Sequence, residues 1–127
     1  MIERHLMPGA PAPRGPYSHA VRAGDFIFVS GMGPIDPATN EFSFGDIQHE
    51  TRLVLNNIKR ILEGCGASLA DVVQCRVFLD DRNDFQAMNQ VYAEFFGEHK
   101  PARSTVVCSF ALAGIKVEID CIAYVGE

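Results

Sequence analysis

The 127-residue sequence predicts one α+β domain, residues 1–127, in which two helices cover one face of a mixed β-sheet. Two stretches, residues 46–63 and 84–96, repeat apolar side chains at helical spacing, whereas the other apolar segments are short and rich in β-branched residues. With 47% hydrophobic and 21% charged residues, the chain has the composition of an ordinary globular domain. These features exclude a disordered, collagen-like or disulfide-stapled class.

Three strands are expected before the first helix. Residues 2–6 form a short edge strand, and residues 18–22 and 26–30 form two further strands on either side of the turn 23–25. The glycines and prolines of residues 31–40 predict a loop.

The first helix is predicted over residues 46–63, with Asp46 as its N-cap and Gly64 or Gly66 as its stop. Its apolar side chains recur with a period of 3.6 and should form one buried stripe: Ile47, Val54, Leu55, Ile58, Ile61 and Leu62. The polar side chains should form a solvated face: Glu50, Arg52, Asn56, Lys59, Arg60 and Glu63.

The second half of the chain predicts a central strand, a helix and two final strands. The strand covers residues 72–79, and the helix covers residues 84–96 and ends at Gly97. The aromatic stripe of this helix is typical of core packing: Phe85, Met88, Val91, Tyr92, Phe95 and Phe96. Residues 102–110 and 115–125 are two strands joined by a short turn.

Strand alternation assigns faces to the charged side chains of the last two strands. In the final strand the odd-numbered residues are apolar, so Glu118 should lie on the face away from the core. In the preceding strand Ser104, Val106 and Cys108 form the more apolar set, so Arg103 should also point away from the core. If the two strands pair as a hairpin, Arg103 and Glu118 share the open face, where an ordinary ion pair is the simplest interpretation.

Composition limits the partners. Sixteen acidic against eleven basic residues give a net charge of −5, which disfavours nucleic acid as a partner. No apolar stretch approaches the roughly 20 residues of a membrane span, and no signal-peptide pattern is present, so we expect a cytoplasmic protein. The four cysteines are scattered without metal-ligand spacing, so we expect free thiols and no metal.

One sheet face is left without a helix to cover it, which predicts an oligomer.

Several segments together resemble the Rid family, the reactive intermediate deaminases also called YjgF- or UK114-type proteins. They span nearly the whole chain: Gly15–Ser18, Phe28–Gly31, Asn83–Phe85, Met88–Tyr92, Pro101–Val106 and Val117–Ile119. The resemblance implies a chorismate-mutase-like, YjgF-type fold and a homotrimer with a central β-barrel and clefts between subunits. It also implies hydrolysis of 2-imino acids or their enamine tautomers, such as 2-aminoacrylate, to 2-keto acids and ammonia, without a cofactor or metal.

The same resemblance implies roles for individual residues. Arg103 matches the arginine that binds the substrate carboxylate, a task that suits the two-pronged guanidinium. Glu118 matches the acidic residue that orients the attacking water or carries its proton. Tyr17 matches a cleft tyrosine, Asn89 an asparagine on the second helix, and Gly31 a backbone contact.

Further candidates are less specific. Ser30, at a strand end with Gly31, is placed to present a backbone N–H group to a ligand, and the backbone carbonyl of Thr105 is placed to hold a water molecule. His19 lies near Tyr17, although a catalytic role is the less favoured interpretation for it.

Three features depart from the family pattern. Thr105 stands where many members have a cysteine, Met32 replaces a commonly polar residue, and residues 98–100 are a short segment. We expect all three to alter the pocket. The alternatives are therefore a deaminase for a larger, aminomuconate-like enamine, or a non-catalytic, chaperone-like trimer that binds keto acids. A ribonuclease is the interpretation that the negative charge disfavours most.

Overall fold

The computed structural model describes residues 1–126, and its main helices and strands lie close to the ranges predicted from the sequence. In chain order they are β1 (Ile2–His5), β2 (Ala20–Ala23), β3 (Phe26–Met32), β4 (Ile35–Asp36), β5 (Glu41–Phe42), α1 (Ile47–Gly64), β6 (Val72–Leu79), α2 (Phe85–Phe96), β7 (Ala102–Val107) and β8 (Val117–Tyr124). Single 3-10 turns precede β6 and α2. A small hairpin, β4–β5, begins within residues 31–40. The glycines and prolines of this segment had predicted only a loop.

The main sheet has the strand order β1-β2-β3-β8-β6-β7. All neighbours are antiparallel except β6 and β7, which are parallel because α2 connects them as a crossover. The hairpin pairing that would place Arg103 and Glu118 on one face does not form, since β6 lies between the last two strands. The chain reaches the sheet edge at β7 and then returns to insert β8 between β3 and β6.

Both helices pack on one face of this sheet, as predicted. The side chain of Asp46 caps α1 by accepting a hydrogen bond from the backbone of His49, and Gly66 takes a positive φ of 80° beyond the helix end. The apolar stripe of α1 is buried, and it packs with residues of α2 and with the odd-numbered residues of β8 in one core.

One residue of the predicted solvated face of α1 is completely buried. Glu50 accepts hydrogen bonds from the backbone N–H groups of Lys116 (2.9 Å) and Gly45 (3.2 Å), and Lys116 Nζ lies 3.5 Å from its Oε2. The expectation for Glu50 was wrong because its partners come from loops distant in sequence.

The opposite face of the sheet has no covering layer within the described chain. Large apolar side chains are exposed there: Phe26, Phe28, Val106 and Tyr124. The four cysteines are free thiols. Neither helix described here is long and apolar enough to cross a membrane.

Candidate functional site

Strand β7 presents Arg103 on the helix side of the sheet. Arg103 is the Cα partner of Cys75 on the parallel strand β6, and Cys75 is buried in the core beneath α2. The prediction that Arg103 points away from the helices is therefore wrong. Ser104 and Val106, members of the more apolar set, lie on the open face instead, where both are exposed.

Two aromatic rings of α2 hold the Arg103 guanidinium. Its Cζ lies 4.7 Å from the ring centroid of Tyr92 and 5.6 Å from that of Phe85, both within cation–π range. Among residues 1–126 no carboxylate forms an ion pair with Arg103. The cation is thus oriented by the rings while its N–H donors stay available for an anion.

Two buried side-chain oxygens, Asn89 Oδ1 on α2 and Thr105 Oγ1 on β7, have no hydrogen-bond partner in the described chain, whereas the Tyr92 hydroxyl lies beside the Cys75 thiol. Phe85, Asn89 and Tyr92 are spaced by four and three residues and so lie along one face of α2. Thr105 follows Arg103 by two residues and shares its face of β7. We call these five residues, Phe85, Asn89, Tyr92, Arg103 and Thr105, the arginine half-site.

The interior beneath the arginine half-site disfavours ionisation. Burial raises the pKa of the Cys75 thiol to about 11. Burial also raises the pKa of the Tyr92 hydroxyl, and the neighbouring Cys75 adds to this effect. Neither group is a nucleophile at neutral pH, so the half-site offers a cation and neutral polar atoms.

Glu118 lies on the other face of the sheet, against the backbone of β3. A Cβ atom at Gly31 would lie 2.6 Å from Glu118 Oε2, so glycine is required for this close approach. The pairing of β3 with β8 shifts register between Val29 and Met32, which places Gly31 at an irregularity of the strand. Burial, and secondarily the charge of Asp120, raise the pKa of the Glu118 carboxyl.

Tyr17, Ser30 and Gly31 line an open cleft of about 850 Å³ together with Glu118. The Tyr17 hydroxyl accepts a hydrogen bond from the backbone N–H of Arg14 at 3.1 Å. The Ser30 hydroxyl donates to the backbone carbonyl of Ser18 at 2.6 Å, so its role is to hold the N-terminal segment. We call these four residues, Tyr17, Ser30, Gly31 and Glu118, the glutamate half-site.

His19 and Met32 do not enter either half-site. His19 is buried, with Nδ1 accepting from the backbone N–H of Met7 and Nε2 facing the carbonyl of Pro11, so both ring nitrogens bind the N-terminal segment. Met32 is 4% exposed and packs in the core, which corrects the expectation that it shapes the pocket.

The two half-sites of one chain face away from each other. Glu118 is the partner of Phe78 on β6, and Arg103 is the partner of Cys75, three residues away and therefore on the opposite face. They are separated by two strand spacings, about 10 Å, and by about 10 Å along the strands. A small molecule cannot contact both residues of the same chain.

The aromatic support of Arg103 was not predicted from the sequence. Phe85 and Tyr92 were assigned to the core stripe of the second helix, whereas Phe85 is 37% exposed beside the guanidinium. The spacing of Phe85, Asn89 and Tyr92 on one helix face was the available signal, but it is the same spacing that core packing requires.

A family model and the sequences of known proteins match nearly the whole chain, in agreement with its single domain fold. A family model described as Endoribonuclease L-PSP matches residues 7–125. A RutC family protein from Pyrococcus horikoshii is 55% identical over 115 residues, which is 91% of this chain and 91% of the relative. An Escherichia coli K12 protein named "Putative reactive intermediate deaminase TdcF" is 40% identical over 126 residues, covering 97% of this chain and 95% of the relative.

Solved structures give the same assignment. YyfA from Yersinia pestis, described as a member of the conserved Rid protein family, superimposes with a TM-score of 0.94 at 35% identity and covers 98% of this chain and 100% of its own. The similarity thus spans nearly the whole chain, including both helices and the mixed sheet. The chain belongs to the Rid family, the group that also carries the names YjgF and L-PSP.

Proposed function

We propose that this protein hydrolyses small 2-imino acids, and the enamines in equilibrium with them, to 2-keto acids and ammonia. The observation that carries this proposal is the ring-supported guanidinium of Arg103, which pairs with no carboxylate among residues 1–126. A 2-imino acid offers the matching group, because its carboxylate can accept two hydrogen bonds from a guanidinium. A deaminase name among the relatives supports the same reaction class.

In this mechanism Arg103 fixes the carboxylate and thereby places the C=N carbon for attack by water. Glu118 accepts a proton from the water as its oxygen bonds to the carbon, which gives a carbinolamine. The protonated Glu118 then returns the proton to the amine nitrogen and becomes a carboxylate again. As the C–N bond breaks and ammonia leaves, this carboxylate takes the hydroxyl proton of the carbinolamine, so the keto group forms, and the proton finally passes to solvent. The raised pKa of Glu118 suits a group that must both accept and donate this proton.

The site requires two copies of the chain. Because Arg103 and Glu118 of one chain face opposite ways, we propose that the arginine half-site of one subunit meets the glutamate half-site of the next in a homotrimer with a central β-barrel. The exposed apolar side chains of the open sheet face, among them Phe28 and Val106, favour burial by neighbouring copies. Tyr17 is then placed to close over the substrate from the glutamate side.

Imine turnover tests the reaction directly. An amino-acid oxidase or dehydratase generates 2-iminobutyrate or 2-aminoacrylate in situ, and semicarbazide traps the imine that survives. The wild type should lower the trapped imine, whereas Arg103→Ala and Glu118→Gln should each lose at least about 100-fold of the rate. Arg52→Ala and Glu63→Gln, at exposed positions of α1, serve as matched controls that keep wild-type rates. Wild-type protein without effect on any small imine would refute the proposal.

Subunit complementation tests the arrangement between chains. Arg103→Ala and Glu118→Gln chains are co-expressed with different tags, and assemblies that carry both tags are purified. In a ring of three that contains both variants, one interface of three joins an intact Arg103 to an intact Glu118, so about one third of the wild-type activity should return. Mixed assemblies as inactive as the parent variants would place both residues in one chain's site and overturn the trimer arrangement.

The same assay separates the alternative functions. A pocket for a larger enamine would give turnover only with bulky imines. A keto-acid-binding trimer would bind 2-ketobutyrate through Arg103 without turnover, and Glu118→Gln would not change the affinity.

A cytoplasmic location stays a prediction, consistent with four free thiols.

A further inference from the structure

An ion pair lies beside Glu118 on the open face of the sheet. Arg76 on β6 and Asp120 on β8 are direct cross-strand partners, and Asp120 follows Glu118 by two residues on the same face. The guanidinium contacts both carboxylate oxygens, with Nε 3.1 Å from each and Nη2 2.6 Å from Oδ2. Arg76 also lies 5.8 Å from the ring of Phe78, the residue opposite Glu118.

Asp120 is the largely buried end of this pair, whereas the Arg76 side chain is 62% exposed. Three hydrogen bonds fix the carboxylate of Asp120, whose side chain is only 18% exposed. Both residues also line the same cleft as Glu118 and Gly31. The negative end of the pair is next to Glu118 along β8, and the positive end is diagonal to it.

We propose that the Arg76–Asp120 pair controls the protonation of Glu118. Asp120 favours the protonated carboxyl by charge repulsion, and Arg76 limits that effect by neutralising Asp120. Asp120 is thus a positioning residue that acts through Glu118 and does not touch the substrate. The catalytic meaning of this control rests on the proposed role of Glu118 as the group that accepts and returns the proton.

Within one chain, the other groups facing Glu118 leave this pair as its main charged surroundings. In the proposed trimer the Arg103 guanidinium of the next subunit also faces Glu118, but it is the same in every variant that changes only Arg76 or Asp120. Strand β3 contributes Gly31, and the N-terminal segment contributes Tyr17 to the shared cleft. Lys116, two residues before Glu118, directs its Nζ to the buried Glu50. Desolvation, and secondarily the charge of Glu118, raise the pKa of the Cys108 thiol, which is therefore neutral at pH 7.

The proposal is tested by titrating Glu118 itself. The carboxyl carbon of ¹³C-labelled Glu118 is followed by NMR against pH in the intact assembly, identified by its loss in Glu118→Gln. Asp120→Asn should lower the titration midpoint by about half a pH unit or more, and Arg76→Met should raise it by a similar amount. Arg52→Met removes a positive charge of α1 that pairs with Glu94, and it should leave the midpoint unchanged.

A charge-swapped double variant separates control of Glu118 from simple stabilisation. Arg76→Asp with Asp120→Arg keeps an ion pair but reverses its direction, so the midpoint should fall below that of the wild type while Tm stays close to it. The acid limb of the kcat–pH profile should shift in the same direction in every variant. Midpoints that stay within 0.2 pH unit across the series (about the error of such a titration) would overturn the proposal. If the titration midpoints of Glu118 shift as expected but the protein does not turn over imines, only the proposed function is refuted.

Discussion

Gly31 lies so close to Glu118 that a Cβ atom at position 31 would stand 2.6 Å from the carboxylate oxygen Oε2. The atom that a methyl group would displace is the far end of a flexible side chain, so the backbone need not move. We therefore expect Gly31→Ala to keep its fold and Tm within about 2 °C while imine turnover falls at least tenfold, since Glu118 leaves its position.

Gly33 provides the matched control for this substitution. A Cβ atom there would meet Phe42 Cε1 at 3.5 Å and Ile115 Cδ1 at 3.8 Å, which are ordinary contacts. Gly33→Ala should retain wild-type turnover and stability. Equal activity of both alanine variants would mean that the placement of Glu118 against Gly31 has no importance for the reaction.

The ring of Tyr92 supports Arg103, while its hydroxyl lies beside the buried Cys75 thiol. Tyr92→Phe keeps the ring beneath the guanidinium, so keto-acid affinity should be unchanged. Tyr92→Leu removes the cation–π contact, which is worth about 0.5–1 kcal/mol, so the Kd for 2-ketobutyrate should rise about two- to fivefold. Calorimetric titration measures both values.

Phe96→Leu controls for the loss of a buried aromatic ring from the same helix. Phe96 is 2% exposed and packs against Tyr92, and it is not among the rings that contact the guanidinium. This variant should lower Tm as Tyr92→Leu does but leave the Kd unchanged. An equal loss of affinity in the two leucine variants would show that helix packing in general, not the ring beneath Arg103, determines binding.

Most of the fold could be predicted from periodicity, because both helices and the strands β3, β6 and β8 bury one face. The alternation in β8 correctly separated the core residue Ile119 from Glu118. The face of Arg103 could not be deduced in the same way. Val106 is an apolar residue on the open face, where it is 47% exposed, so its apolar side chain did not mark the core side of β7.

The site depended on contacts that no local pattern contains. Arg103 and Glu118 were named through family motifs, but their opposite orientation follows from the insertion of β8 between β3 and β6. Likewise, Glu50 accepts a hydrogen bond from the backbone N–H of Lys116, which is 66 residues away in the sequence. Helical spacing assigned Glu50 to a solvated face because it describes one helix and not the loops packed against it.

Glu118 should make the protein less stable as pH rises through its titration. Its pKa is raised in the folded state, so the folded protein binds more protons than the unfolded chain between the two pKa values, and the free energy of unfolding falls as pH increases there. At pH values above both pKa values, the free energy of unfolding stays lower by a constant amount. Glu118→Gln should therefore have a higher Tm than the wild type at pH 7, and the difference should vanish below the ordinary carboxyl pKa.

Thermal unfolding at several pH values, at one protein concentration, measures this difference. Glu63→Gln, at an exposed position of α1, should give the wild-type curve throughout. A Glu118→Gln variant that is less stable than the wild type at pH 7 would contradict a raised pKa, because it would mean that the folded state favours the charged carboxylate.

Glu50 should contribute more to stability than any other acidic side chain of α1. It is fully buried, it accepts backbone hydrogen bonds from Gly45 and Lys116, and it pairs with Lys116 Nζ. Glu50→Ala leaves these donors unsatisfied and should lower the free energy of unfolding by about 3 kcal/mol, measured by urea denaturation at fixed protein concentration. Glu63→Ala, an exposed carboxylate on the same helix, should change it by less than about 0.5 kcal/mol. Equal effects of the two substitutions would mean that the buried network is no more stabilising than a solvated charge.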